Sequence, residues 1–285
     1  MPQLDRKARV ADVIHVAIAD AVERLHEHED GARRGGDPED VHQARVAARR
    51  LRSDLKTFHA FCDPEWTSDV RAELAWLGGE LGAVRDIEVL LQRLRADERA
   101  LPDSEQDAAE RVVCRLLADW EGARTEMLSA LASPRYNALR DLLDAAVTAP
   151  NLTERATELA VDVVPGVVQK PWRKLKAAVT DLGDSPADEA LHELRIMAKR
   201  TRYAAEAAAA VFGKRALRFA KTVAAVQDVL GEHQDAVVAR AWLAKTAHEC
   251  SAPEAFAAGM LAEREAAAAA RARADFPAAW AAARA

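Results

Sequence analysis

Two segments of the chain carry positive charge in the same pattern, 150 residues apart. They are VHQARVAARRLRSDLK at 41–56 and LHELRIMAKRTRYAAE at 191–206. At 3.6 residues per turn, the His and most basic residues of each segment fall within an arc of about 80° on one helix face. The members of this arc are His42, Arg45, Arg49, Arg52 and Lys56 in the first segment, and His192, Arg195, Lys199 and Arg202 in the second.

Such an arc suits a long anion. Like charges one turn apart repel and weaken a helix by a few tenths of a kcal/mol per pair. We call each arc a basic stripe. Because almost no acidic residues are interspersed in it, each stripe is expected to have a functional reason. A sixteen-residue helix is about 24 Å long, which is more than one phosphate requires. Arg grips phosphate oxygens bidentately, Lys adds a point charge, and His donates a hydrogen bond or a charge. A solvated charged face is the alternative, but two copies in register favour a polyanion site.

Several other residues are weaker candidates. The acid-free segments QKPWRKLK at 169–176 and GKRALRFAK at 213–221 flank the second stripe, and each is either a ligand contact or structural. In LGEHQD, His233 either contacts an anion or forms a hydrogen bond in the core. Arg50 and Arg200 are solvated or pair with nearby acids, and Asp86 and Asp235 orient an arginine or cap a turn. The additional ligand candidates are Lys170, Arg173, Arg218, Lys221 and His233.

No catalytic or metal motif accompanies these residues. The sequence has no P-loop, GxSxG, HExxH or Rossmann glycine pattern. LHEHED at 25–30 contains metal-ligand types, but His26 and His28 diverge by about 200° on a helix, so we interpret it as a polar helix end. The three cysteines lack CxxC spacing and are typical of buried thiols in a reducing cytoplasm. We therefore expect no cofactor and no metal.

The elements that position these residues are predicted to be helices. Ala, Leu, Arg and Glu dominate, aromatics make up 5 % of the chain, and a period near 3.6 runs almost throughout. Asp37-Pro38 and Ser185-Pro186 each offer an N-cap followed by proline at the start of a basic helix. The predicted helices are 4–29, 38–60, 66–98, 104–131, 135–147, 152–164, 167–181, 187–210, 214–247 and 253–283.

Length and charge bound the remaining possibilities. The 285 residues suffice for one large domain or two smaller ones, and a second shared block, LGAVRDIEVL at 81–90 with LGEHQDAVVA at 230–239, supports an internal repeat. We place the two copies at 1–148 and 149–285. A net charge of −6 argues against non-specific nucleic-acid binding by the surface as a whole. We expect no transmembrane helix and no secretory signal.

Taken together, four separated blocks resemble the CHAD family of histidine-bearing α-helical domains that bind inorganic polyphosphate. The blocks are VHQARVAARRLRS, LGAVRDIEVL, LHELRIMAKRTRY and LGEHQD, in the family's order across nearly the whole chain. The resemblance implies two similar four-helix bundles with pseudo-two-fold symmetry, a basic central channel, and association with polyphosphate granules in the cytoplasm. The resemblance also adds Arg85 to the predicted polyphosphate-binding residues. The counterpart of Arg85 in the second copy is Gln234. EHEDG at 27–31 lacks the lysine of the family's Glu-x-Glu-x-Lys strand, so no triphosphatase activity is implied.

Polyphosphate binding without catalysis is therefore the predicted function. A metal-dependent enzyme that processes polyphosphate or triphosphate is the first alternative, although the stripes contain almost no carboxylates to hold a metal. A general nucleic-acid or polyanion binder is the second, although aromatic residues for base stacking are not interleaved with the basic ones. A structural protein with an acidic partner is the third. The sequence indicates neither oligomeric state nor chain-length preference.

Overall fold

The computed structural model describes residues 3–35 and 37–284, and this part of the chain is almost entirely α-helical. It confirms the predicted all-α class. Two isolated bridges, Arg9 with Leu159 and Cys62 with Leu152, are the only extended pairings among the described residues. The helices are α1 (Val10–Arg34), α2 (Pro38–Thr57), α3 (Pro64–Glu98), α4 (Asp103–Leu131), α5 (Pro134–Thr148), α6 (Ala160–Thr180), α7 (Asp188–Phe212), α8 (Lys214–Ala247) and α9 (Ala252–Arg284).

Several of the predicted helices have wrong boundaries or continuity. The first spans Val10–Arg34 rather than 4–29, and the second ends at Thr57, with a separate 3₁₀ turn at His59–Phe61, rather than at residue 60. The predicted helices 152–164 and 167–181 are replaced by a 3₁₀ turn at Glu154–Thr157 and the single helix α6, which contains Pro165 and Pro171. An interior proline costs a helix about 3 kcal/mol or more. Because Val164 and Leu175 bury one face of α6 on either side of the Pro-Gly pair, tertiary packing outweighs that local cost.

The two basic helices do not begin alike. Asp37 caps α2, its carboxylate accepting a hydrogen bond from the Glu39 backbone N–H at 2.8 Å, and Pro38 is the first helical residue, as predicted. In α7 the N-cap is Ala187 without a side-chain bond, so the predicted Ser185 cap is wrong. The Pro186 carbonyl instead accepts a bond from Arg273 of α9.

Three apolar clusters hold the helices together. The first joins α1, α2, α3, α5 and the end of α4 with the start of α6 and the end of α7, and the third contains residues of α6, α7, α8 and α9. The second contains Leu94 of α3, Val112 of α4, Leu243 of α8 and Leu261 of α9, so it packs the two halves of the chain against each other. The division at residue 148 coincides with the end of α5. Both that division and the pseudo-two-fold axis stay predictions.

Two smaller expectations concern the surface. Among the described residues, no helix is long and apolar enough to cross a membrane. The three cysteines are free, but only Cys62 is buried. Cys114 is exposed because Val112, Val113 and Leu116 occupy the buried face of α4, and Cys250 is partly exposed, so the expectation of three buried thiols was wrong.

Candidate polyanion-binding site

The two basic stripes adjoin in the folded protein. Helix α2 packs against α7, and the Arg49 Nε of α2 donates a hydrogen bond to the Tyr203 hydroxyl of α7 at 3.1 Å. Arg45 and Arg195 are near enough to repel, and this repulsion adds to burial in lowering the pKa of Arg45. We call His42, Arg45, Arg49, Arg52, Arg85, His192, Arg195, Lys199 and Arg202 the basic face.

Glycine and aspartate of the shared LG blocks hold one arginine in each half. Arg45 Nη2 lies 2.9 Å from Asp86 Oδ1, and Arg195 Nη2 lies 3.9 Å from Asp235 Oδ1. A Cβ at Gly82 would lie 3.3 Å from Arg45 Nε, and one at Gly231 would lie 3.5 Å from Arg195 Nε. The glycines therefore let each guanidinium lie directly on the neighbouring helix, and the aspartates orient it, as the sequence predicted.

Lys199 is the most perturbed cation of the basic face. Burial, followed by repulsion from Arg195, Arg49 and Arg45, lowers the pKa of its ammonium to about 7, and only Asp235 opposes these effects. A desolvated lysine among arginines disfavours its own charge. An anion bound at this point would restore the charge by supplying the missing counter-ion.

The two histidines of the face differ in their partners. His42 is half-buried, and burial followed by the charge of Arg85 lowers its pKa. His192 Nδ1 lies 2.8 Å from the Gln234 amide oxygen. Gln234 stands where the first half has Arg85, which pairs with Glu88 at 3.2 Å. The departure noticed in the sequence thus gives the two halves different histidine environments.

Several buried nitrogens of this region have no hydrogen-bond partner among the described residues. Buried donors and acceptors are almost always paired in folded proteins, because an unpaired one loses its hydration without compensation. An anion with many acceptor oxygens would satisfy the donors among them. The atoms are His42 Nδ1, Arg71 Nε, Arg85 Nε and Arg195 Nε.

The positive field continues past Arg52 into a cavity of about 690 Å³. Lys56 lines this cavity, and its pKa is lowered first by Arg200 and then by burial, Arg71, Arg52 and Lys174. Lys170, which the sequence offers as a candidate ligand contact, also lines this cavity. Sequence reasoning passed over Arg71, Lys174 and Arg200 as ligand contacts. Arg71 aligns with Lys221 in the internal repeat, and that was the available signal.

The remaining candidates lie elsewhere. His233 is 2 % exposed, and its Nε2 lies 3.1 Å from Asp188 Oδ1 beside Arg273, in a separate cavity of about 630 Å³ between α8 and α9. None of the basic residues of α2 is among its neighbours there. Arg173, Arg218 and Lys221 are exposed and form no ion pair with any described residue.

Arg50 pairs with acids, which confirms one of its two interpretations. Its guanidinium lies 3.4 Å from Glu206 and 3.8 Å from Asp54. Glu206 also pairs with Arg202 at 3.3 Å, so the second stripe is partly neutralised at the point where the first has Lys56. Within residues 3–35 and 37–284, no group of three or more His, Cys, Asp or Glu could hold a metal ion.

Comparison with known proteins places this fold in a family. The sequence model of the CHAD domain family matches residues 16–244 of the chain. The chain belongs to the CHAD family. A crystal structure of the CHAD domain from the plant Ricinus communis superposes with a TM-score of 0.77 at 29 % identity, covering 99 % of this chain and 94 % of that one. PptA from Streptomyces chartreusis superposes with a TM-score of 0.81 at 24 % identity, covering 96 % and 99 %, and supports the fold alone.

Curated relatives of this CHAD chain are longer. An uncharacterised protein from each of two Mycobacterium tuberculosis strains, CDC 1551 and H37Rv, is 33 % identical over 279 residues. The match covers 94 % of this chain and 52 % of each relative, so the chain spans about half of their length.

Proposed function

We propose that this CHAD chain binds inorganic polyphosphate along the basic face, which forms a channel, and that it does so without catalysing a reaction. The single observation that carries the proposal is the crowding of partly buried cations. Among them, His42 Nδ1, Arg85 Nε and Arg195 Nε lack a hydrogen-bond partner within the described residues, and the pKa of Lys199 is lowered to about 7. Membership of the CHAD family supports the same ligand.

The extent of the positive field supports a linear ligand. From His42 to Lys56 the α2 stripe rises about 21 Å. Neighbouring cations repel one another along the whole stripe. The repelling series contains Arg85, Arg45, Arg49, Arg52 and Lys56. A chain of phosphates matches this repeated spacing of charge better than an isolated anion does.

A salt-dependent titration against polyphosphates of defined length tests the binding. Each neutralised phosphate releases condensed counter-ions, so log Kd should rise steeply and linearly with log salt, by analogy with other polyanions. Affinity should increase with chain length until the face is filled. A shallow salt slope, or equal affinity for orthophosphate and long chains, would contradict the proposal.

The absence of catalysis is the second part of the proposal. Phosphoryl transfer relies on metal ions held by carboxylates and on a positioned nucleophile. On the basic face, Asp86 and Asp235 are already engaged by arginines. Incubation with polyphosphate and Mg²⁺ or Mn²⁺ should release no phosphate above a protein-free control, and sustained turnover would make the chain an enzyme.

Polyphosphate is preferred over single-stranded nucleic acid in this proposal. Binders of single strands offer exposed aromatic rings for base stacking. Tyr203, the aromatic residue nearest the stripes, is 3 % exposed and already accepts a bond from Arg49. Polyphosphate should therefore displace single-stranded RNA at matched salt, and equal affinities would point to a general polyanion binder.

A cytoplasmic location at polyphosphate granules completes the proposal. Its basis is the proposed ligand together with the granule association that the resemblance to the CHAD family implies. A fluorescent fusion should coincide with stained granules in cells and disperse when the cells are depleted of polyphosphate. A diffuse signal in granule-rich cells would contradict this part.

A further inference from the structure

The cavity at the Lys56 end of the basic face differs in chemistry from the face itself. It lies where the end of α2, the start of α3, and α6 and α7 meet, and its volume of about 690 Å³ is in the range of small-molecule sites. We call it the end pocket. Its cations are Lys56, Arg71, Lys170, Lys174 and Arg200.

The cations of the end pocket are free to take a ligand. No carboxylate is among the lining residues. Of the described carboxylates, none lies within ion-pair distance of any of the five cations, and the Arg71 Nε is buried without a hydrogen-bond partner. The cations instead repel one another, Lys56 most of all through Arg200. We call these five cations the rim of the end pocket, and an anionic group is the chemical complement of this rim.

The end pocket also has apolar lining residues, which we call its floor. They are Phe61, Val163 and Val167, together with Pro64 and Pro171. Polyphosphate has no apolar surface, so its binding would leave this floor without a function. A ligand that covers the floor removes apolar surface from water and gains free energy in proportion to the area covered.

Hydroxyl groups also line the end pocket. Ser53, Thr57 and Ser68 line the same cavity. An acyl chain would leave such groups unsatisfied, whereas a nucleoside presents apolar ring faces, polar ring edges and sugar hydroxyls together. The combination of rim, hydroxyls and floor thus selects a heterocycle with a sugar and several phosphates.

We infer that the end pocket binds the nucleoside of a nucleoside oligophosphate, whose phosphates extend past Lys56 onto the basic face. The phosphate half of this inference rests on the proposed function, and the nucleoside half rests on the floor and hydroxyls of the pocket. Such a ligand competes with the end of a polyphosphate chain for the same cations.

Comparing adenosine 5′-triphosphate with inorganic tripolyphosphate isolates the nucleoside. At the same pH and salt without divalent ions, both ligands carry three phosphates, and the nucleotide carries no more charge. We expect the nucleotide to bind roughly tenfold more tightly by calorimetry, equal to 1.4 kcal/mol. Equal or weaker binding of the nucleotide would overturn the inference. If polyphosphate itself failed to bind, the proposed function would fall instead, so the two failures are distinguishable.

Gly166 offers a variant that fills the end pocket without touching its cations. It lines the cavity on α6, and a Cβ there would meet nothing within 4 Å. Gly166→Leu should abolish the advantage of the nucleotide and leave tripolyphosphate affinity unchanged, while the helix gains from losing a glycine. Gly259→Leu on α9, where a Cβ also meets nothing within 4 Å, is the matched control and should change neither affinity. An unchanged nucleotide advantage in Gly166→Leu, or loss of both ligands from a folded variant, would refute the site.

A photo-crosslink on the unaltered protein tests the same site independently of folding. An azido-adenosine triphosphate should label peptides that contain residues 59–68 or 163–174, and excess unmodified nucleotide should suppress the labelling. Labelling confined to other peptides would contradict the assignment.

Discussion

At the scale of single residues, Lys199 links the geometry of the basic face to the proposed ligand. Burial and three neighbouring arginines bring its pKa to about 7, far below the usual value of 10.5. Between pH 7 and pH 10.5 the unfolded chain binds more protons at Lys199 than the folded chain does. The free energy of unfolding of the ligand-free protein therefore rises with pH across this window. The fold bears this cost at a position where a bound polyanion would remove it.

Lys199 predicts how binding depends on pH. Bound polyphosphate raises the lysine pKa again, so binding takes up a proton above about pH 7, and affinity should fall by up to about tenfold per pH unit from pH 7 to pH 8.5. His42, whose pKa is lowered by burial and then by the charge of Arg85, adds a smaller strengthening at more acidic pH, since its protonated form attracts the anion. Calorimetry in buffers of different ionisation enthalpy measures this uptake directly.

Lys199→Arg is the matched variant for this measurement. Arginine keeps its charge at every pH of the experiment, so the decline between pH 7 and pH 8.5 should flatten while binding persists. A wild-type affinity that stays constant from pH 8.5 to pH 5.5 would contradict a titrating Lys199 and a titrating His42 alike.

The residue scale also shows what sequence could predict. Periodicity separated Arg50 from the stripe of Arg45 and Arg49, and Arg50 does pair with acids. The lowered pKa of Lys199 could not be predicted from the sequence. Its largest cause is burial, and Arg49 and Arg45, which add to the repulsion from Arg195, lie on a helix about 150 residues distant in sequence. Burial of His233 against Asp188 likewise depends on how α7, α8 and α9 meet.

At the scale of elements, the two basic helices show the limit of local motifs. Asp-Pro and Ser-Pro look alike as start signals, yet only Asp37 caps its helix. The second helix starts three residues beyond Ser185, where Arg273 of α9 binds both the Pro186 carbonyl and the Asp188 carboxylate. A tertiary contact, which is invisible to a window of sequence, replaces the local cap.

Replacing each candidate cap by alanine tests this difference. Asp37→Ala removes an observed bond to the Glu39 N–H and should lower the free energy of unfolding by about 1 kcal/mol. Ser185→Ala removes no cap, so its effect should stay within about 0.5 kcal/mol, as at an ordinary surface position. Urea denaturation measures both values, and equal losses in the two variants would show that Ser185 also caps α7 in solution.

At the scale of the whole molecule, one buried ion-pair network joins the two halves. Arg93 of α3 binds both oxygens of Glu265 on α9 at 2.7 Å, and it binds Glu232 of α8 at 2.8 and 3.0 Å. Glu265 is completely buried. The network lies beside the apolar cluster shared by α3, α4, α8 and α9, so it fixes how the halves dock.

Removing one partner of this network should destabilise the fold. Arg93→Ala leaves the buried Glu265 carboxylate without its counter-ion and should cost about 3–5 kcal/mol of unfolding free energy. The double variant Arg93→Met with Glu265→Leu replaces the charges by apolar groups and should recover most of that loss. Denaturation curves of both variants decide the matter, and a cost below about 1 kcal/mol for Arg93→Ala would mean that the network does not hold the halves together.

The most direct test of polyphosphate binding reverses two charges at the centre of the basic face. Arg45→Glu with Arg195→Glu should abolish binding of long-chain polyphosphate while circular dichroism remains that of a helical protein. Arg95→Glu with Lys245→Glu makes the same change in net charge on exposed residues, ten residues or about 15 Å along their helices from Arg85 and Asp235. The control should keep its affinity within a few-fold. Retained binding in a folded Arg45→Glu, Arg195→Glu variant, or equal loss in the control, would contradict the basic face as the polyphosphate site.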